Sequence, residues 1–231
     1  MFHAVDPDVT FRANVHDGDH CPAGTVLAHV LGPARALLTA ERTALNFLQR
    51  LCGIATVSAA AAHAAGTKLR VLDTRKTTPG WRNLEKYAVA CGGADNHRVG
   101  LYDRVLIKDN HRELAGLDGP GGIGRAVAAA RAAHPDLLIE VEADTLAEVA
   151  EALAAAANWI LLDNMTDATM AEAVRRVAGR AKLEASGGIT TERLPAIART
   201  GVDAVSLGAL THSARAVDIA MDIRTQPQPA T

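Results

Sequence analysis

The run LRVLDTRKTTPG closes on Asp73, Arg75 and Lys76, charges set where an apolar stretch stops, and then turns through TTPG. Arginine offers a planar fork that matches carboxylate or phosphate, and lysine a point charge for the same anions. Further on, GGADNHRVGLYDRVLIKDNH gathers His97, Arg98, Lys108 and His111 within fifteen positions. His97 and His111 have neither a metal-ligand spacing nor a cysteine partner, so zinc is rejected. The third group is acidic. In IEVEAD, Glu140 and Glu142 fall two apart, hence on one face of a strand, and in WILLDN Asp163 closes the next apolar run. Neighbouring carboxylates suit a hard cation such as Mg2+, or ribose hydroxyls. The fourth group is a pair of glycine turns, SGGIT and SLGALTHS. There Gly187, Gly188 and Gly208 let backbone N–H groups close on an anion, with a helix N-terminus behind them. Blander readings compete: a solvated basic face, and carboxylates that only salt-bridge nearby Lys or Arg. Taken together, the groups describe a transfer between an acidic small molecule and a phosphorylated sugar.

Such residues need elements to hold them at one place. From about residue 67 the chain alternates short apolar runs with longer amphipathic ones. Strands are expected at 69–74, 105–108, 137–142, 159–164, 182–187 and 203–208. Helices are expected at 84–92, 121–133, 145–156, 167–178 and 191–200. This is the βαβ rhythm of a parallel sheet. The polar residues cluster at strand C-termini and the glycine turns follow the last two strands, which favours a β/α barrel over a doubly wound sheet. No GxGxxG follows the first strand, so a dinucleotide fold is not indicated. Residues 1–38 have period-two stretches and turn signals and read as a few short strands, too few to bury a core alone. A long helix follows from near Thr39, a plausible N-cap.

Composition sets the outer limits. Hydrophobic residues make up 48% and charged residues 22%, the balance of an ordinary globular protein. The net charge of -2 argues against a general nucleic-acid binder. Yet Lys68–Arg112 holds ten Lys/Arg against five Asp/Glu, a local excess of +5 that points to an anion site. Three cysteines without a CxxC pair fit a reducing compartment. No signal peptide and no membrane-length apolar run is visible, so the cytoplasm is the expected location.

LLTAERTALNFLQRLCGIAT, DTRKTTPG, KYAVACGGADNHRVGLYDRVLIKDNH, IEVEADT, LLDNMT, EASGGIT and GVDAVSLGALTHS resemble, in order, the motifs of quinolinate phosphoribosyltransferase, over roughly residues 15–225. The resemblance implies an α/β fold, an open β/α barrel over 51–231 preceded by a partial N-terminal α/β sandwich domain over 1–50, with a C-terminal helix packing back on the latter. It implies quinolinate and phosphoribosyl pyrophosphate as substrates, Mg2+ as cofactor, and a homodimer with shared active sites. By resemblance, Arg42 (from the partner subunit), Arg75, Lys76, His97, Arg98 and Lys108 surround quinolinate. Glu142 and Asp163 face ribose and Mg2+, and Ser186, Gly187, Gly188, Gly208 and His212 face the 5′-phosphate. Lys76, Lys108, Glu142 and Asp163 are the catalytic set. Two departures stand out: Cys52 replaces the serine expected in the family's LSGIAT, and the family carries several dozen residues before the segment at Val15. The alternatives are a molybdenum-transport-associated relative with another acceptor and an inactive remnant.

Overall fold

A computed structural model describes residues 1–225. Two sheets organise the fold. The smaller is an antiparallel pair, β1 (Thr10–Ala13) with β2 (Ala28–Leu31), preceded by the single-turn helix α1 (Phe2–Val5). The larger is a six-stranded parallel sheet of β3 (Arg70–Leu72), β4 (Val105–Ile107), β5 (Ile139–Ala143), β6 (Trp159–Asp163), β7 (Lys182–Ser186) and β8 (Ala204–Ser206). Its order is β3-β8-β7-β6-β5-β4. Strands consecutive in sequence, β3 and β4, thus form its two opposite edges. The barrel is open there, and the chain at Asp95 covers the free edge of β3, its N–H donating to the Val71 carbonyl at 2.8 Å.

The strands lie where period and length place them, each within three residues of the expected bounds. The connecting helices are α3 (Arg82–Cys91), α5 (Gly122–Ala133), α6 (Leu146–Ala154), α7 (Asp167–Val177) and α8 (Leu194–Thr200), the last entered through a 3-10 turn over Thr191–Arg193. Side-chain caps fix the starts of α6 and α7: Thr166 accepts the Thr169 N–H, and in DTLAE the Thr145 hydroxyl accepts the Glu148 N–H while Glu148 reaches back, a capping box. Three short helices went unforeseen: α1, in a segment read as strands, α4 (Asp109–Leu114) and α9 (Ala209–His212).

Two expectations are corrected. The long helix α2 spans Ala34–Ala65, starting after Pro33, and Thr39 lies inside it with its hydroxyl donating to the Arg35 carbonyl at 2.7 Å. Ala34–Leu38 are strong helix formers, and Ala36, Leu37 and Ala40 are buried, so the helix gains by starting earlier. That same helix runs through residue 50, where the N-terminal part is expected to end. The segment after His212 is extended over the described residues, not helical. It runs along α2 as a strap: Val217 N–H donates to the Gln49 carbonyl at 3.0 Å, and Gln49 Nε2 to Ile219 at 2.7 Å. A Cβ at Gly53 would lie 1.9 Å from the Arg215 carbonyl oxygen, so only glycine permits this approach.

The main core lies between sheet and helices. Ile139, Val141, Ile160, Leu162, Leu183, Ala185 and Val205 face outward into it. Alternation sends the intervening residues into the barrel, where only Leu72, Trp159 and Ala204 form an apolar cluster. The other inward positions include Leu106 and Leu161, and the buried polar Glu140, Glu142, Glu184 and Ser206. A parallel strand normally reads as continuously apolar; here part of its inner face is given to polar groups.

Candidate active site

The mouth is built from strand C-termini. Lys108 follows β4, and its Nζ lies 2.5 Å from Glu142 Oε2 on β5. Asp163 ends β6 and accepts from Asn164 Nδ2 at 2.6 Å. Asn164 is left-handed at φ 53, and Gly187 at φ 94 crosses above it; a Cβ there would lie 2.2 Å from Asn164 Oδ1. Ser206 Oγ donates to Ser186 Oγ at 3.1 Å, tying β8 to β7. At the next turn Gly208 is closely approached by Lys76 and His212: its added Cβ would meet Lys76 Cδ at 3.0 Å and His212 Nε2 at 3.1 Å. Thr211 Oγ1 donates to the Lys76 carbonyl at 2.7 Å and fixes this juxtaposition. Lys76, Gly208 and His212, far apart in sequence, thus share one place. Behind the first turn a 3-10 turn leads into α8, and behind the second lies the four-residue α9. Loop N–H groups, Lys76 and His212 are the donors that this place could offer an anion.

The other half of the mouth is cationic. Arg75 is half-buried and its Nε has no hydrogen-bond partner among the described residues. Arg98 is pulled below the ordinary guanidinium range, first by burial and then by Arg75, with Glu140 and Asp103 acting in the opposite sense. Two guanidinium groups held together without full compensation make a place for a carboxylate. Arg82, a residue the sequence reading passed over, braces the loops: its Nη2 reaches the Arg75 carbonyl at 3.4 Å and its Nη1 that of Val99 at 3.3 Å. A second brace comes from α2, where Arg50 contacts Glu85 at 3.1 Å and the Thr211 carbonyl. Glu85 in turn accepts from the Thr78 hydroxyl and N–H at 2.8 and 3.0 Å. Asp73, expected at the mouth, instead faces α3. It is fully buried, pairs with Lys86 Nζ at 2.5 Å and accepts the His97 N–H at 2.8 Å.

His97 itself points down into the barrel. Its Nε2 lies 3.0 Å from Glu140 Oε2 and 3.2 Å from Glu184 Oε2, and Arg104 Nη1 lies 3.2 Å from Glu140 Oε2. Burial works against charge on the imidazole, and the two glutamates, more strongly, favour it. Arg104 also stacks over Trp159, 5.1 Å from the ring centroid. Glu184 and Arg104 escaped the sequence reading. The signal for Glu184 was available, since KLEASGG places it two residues before Ser186 and so on the same face.

Arg42 is not brought to the mouth of the single chain. It stands exposed on α2, with no ion pair among the described residues. Leu38, one turn earlier, is 59% exposed.

Glu142 and Asp163 offer carboxylate oxygens of the kind a hard cation takes together with substrate phosphates. Lys108 holds one Glu142 oxygen and Asn164 one of Asp163, leaving the others free to ligate.

Comparison with known proteins agrees with this architecture. The family model for the N-terminal domain of quinolinate phosphoribosyl transferase matches residues 1–52, and that for the C-terminal domain matches 54–222. A probable carboxylating nicotinate-nucleotide pyrophosphorylase of Bacillus subtilis is 46% identical over 224 residues, covering 96% of this chain and 76% of the relative. The carboxylating nicotinate-nucleotide pyrophosphorylase of Mycobacterium leprae is 47% identical over 213 residues, covering 90% and 73%. The crystal structure of NadC from Streptococcus pyogenes superposes with a TM-score of 0.90 at 42% identity, covering 96% of this chain and 77% of that one. With an open parallel barrel, a small antiparallel sheet and both family models matched in order, the chain belongs to the quinolinate phosphoribosyltransferase family.

Proposed function

We propose that this chain transfers the phosphoribosyl group of phosphoribosyl pyrophosphate to quinolinate and releases pyrophosphate and carbon dioxide, forming nicotinate mononucleotide in de novo NAD biosynthesis. The observation that carries the reading is the unpaired Arg75 set beside Arg98 at the barrel mouth, opposite the Lys76–Gly208–His212 turn. One end takes a dicarboxylate and the other a phosphate.

The chemistry follows from that division. The ring nitrogen of quinolinate attacks C1 of the ribose as pyrophosphate leaves, through an oxocarbenium-like transition state. The nitrogen has no proton to lose, so no general base is needed, and positioning and charge neutralisation dominate. Arg75, Arg98 and Lys108 hold the two carboxylates. Arg42 from a second subunit completes the set in a homodimer. Ser186, Gly187, Gly188, Gly208 and His212 bind the 5′-phosphate, and Lys76 lies between the two halves. Once the ring is alkylated, its cationic nitrogen stabilises the electron pair left at C2 when carbon dioxide departs, and that carbon then takes a proton from water to give the product. Glu142 and Asp163 contact ribose hydroxyls and hold Mg2+, which supplies positive charge against the pyrophosphate when bound. Among the described residues no helix is long and apolar enough to cross a membrane, and we place the enzyme in the cytoplasm.

The test is direct. The chain incubated with quinolinate, phosphoribosyl pyrophosphate and Mg2+ should yield nicotinate mononucleotide, detected by chromatography against a standard. EDTA should abolish the product and added Mg2+ or Mn2+ restore it. Full turnover in chelator would remove Glu142 and Asp163 from any metal role.

A further inference from the structure

Glu140 and Glu184 are both fully buried and converge on a single imidazole nitrogen, with one guanidinium, Arg104, beside them. Neither oxygen of Glu184 makes a hydrogen bond, and Glu140 keeps one oxygen unpartnered. The contact of Glu184 with His97 is thus close in distance but poor in direction. The three donor atoms lie within 4.8 Å of one another, close enough to share a metal ion. Arg104, however, already supplies a cation 3.2 Å from Glu140 Oε2 and 3.4 Å from His97 Nε2.

Charge counting decides what the group must carry. The two glutamates favour a charged ring, but the Arg98 N–H donates to His97 Nδ1 at 2.7 Å, and this contact leaves Nδ1 a lone pair and the ring a single proton, on Nε2. With a neutral ring, two ionised glutamates and one arginine would leave a net charge of -1 in the barrel interior, a state burial strongly disfavours. One additional proton removes it. Placed on Nδ1, that proton breaks the Arg98 contact. Placed on Glu184, it breaks nothing.

We propose that Glu184 is a positioning residue that works as the neutral acid, keeping the His97–Glu140–Arg104 group free of net negative charge beneath the Arg75–Arg98 anion site. The proposal rests on the reading of that site as the seat of a dicarboxylate. Burial first, and then the charge of Glu140, push the Glu184 carboxyl up from its ordinary range. The charged and titratable groups that face it are His97 from the loop before β4, Glu140 from β5 and, across Glu140, Arg104; β8 presents the Ser206 hydroxyl. Loss of the Glu184 proton puts a negative charge below a site built for a dianion. Like charges so placed weaken binding by about tenfold or more.

The test compares wild type with Glu184→Gln, which has the neutral acid's shape and no titration. KM for quinolinate and kcat are measured from pH 6 to 10, in steps of about half a unit, with KM for phosphoribosyl pyrophosphate as internal control. Wild-type KM for quinolinate should climb by about tenfold as Glu184 ionises, while that of Glu184→Gln lacks this rise. Superimposable profiles would overturn the proposal. Failure of wild type to make nicotinate mononucleotide would instead overturn the functional reading. An infrared spectrum of wild-type protein carrying isotope-labelled glutamate gives a readout without any variant. A protonated carboxyl band must be present at neutral pH, and its absence overturns the proposal whether or not Glu184→Gln folds.

Discussion

At the scale of single residues, the mouth is a balance of unsatisfied cations. Arg75→Ala removes a fork whose Nε has no partner among the described residues, so the loss should fall on the substrate. We expect kcat/KM for quinolinate to drop by about 2–5 kcal/mol of transition-state stabilisation, with the melting temperature little changed. Steady-state kinetics beside a thermal melt separate the two effects. Arg104→Met should do the reverse, acting first on stability. It leaves Glu140 buried without its guanidinium, and breaking such a pair costs about 3–5 kcal/mol. Burial alone would raise the Glu140 pKa, but His97 and Arg104 outweigh it and hold it below the ordinary carboxylate range. The stability this pairing contributes is therefore present above the unfolded carboxyl's pKa and lost as pH falls through the folded one. The melting deficit of Arg104→Met should accordingly be full at neutral pH and shrink in acid; a deficit independent of pH would count against the pair. Much of this mouth was legible beforehand, because charge at the end of an apolar run has few structural excuses. Glu184 could have been found through its period-two spacing to Ser186, but Arg104 was not legible, since one charge just ahead of a short strand looks the same whether it turns to solvent or into a barrel.

Elements carry the next level of constraint. The glycine of LCGIAT sits where helix and strap touch backbone to backbone, 1.9 Å being the clearance a methyl would have to the Arg215 carbonyl. Gly53→Ala must push the strap off α2, and overpacking of this kind costs about 1–3 kcal/mol. A lower denaturation midpoint, with an unaltered denaturant slope, is the expected reading. Gly187→Ala faces a positive φ as well as Asn164, and should impair the phosphate turn more than the fold, raising KM for phosphoribosyl pyrophosphate. The strands of the barrel could be read from period and length alone, because each is bounded by turns and buried on its outer face. The start of α2 could not. LGP reads as a loop, and the burial that rewards five more helical residues comes from Val9 and the hairpin, which only tertiary structure brings near.

The whole molecule raises the question of what lies against α2. Leu38 and Arg42 are four residues apart and share a face, and the chain leaves both in solvent. If that face meets a second subunit, Arg42→Ala and Lys108→Ala should each be inactive alone yet regain activity when mixed, because one hybrid site escapes both changes. Unrestored activity, in material that sedimentation shows to be dimeric and exchanging, would place Arg42 outside the partner's site. No feature of a single sequence could settle this, since a side chain destined for a partner looks like any other on a polar face. The gap between β3 and β4 has its own consequence. A closed ring has no first strand to lose, but this sheet does: β4 is three residues long and hydrogen-bonded only to β5. It is also the strand that delivers Lys108. The molecule therefore has a seam, and fraying there would disarm one side of the mouth while the opposite side stood intact. Amide hydrogen exchange should find it, with Val105 and Ile107 giving up their protons well before Ile160 and Leu162 in the middle of the sheet.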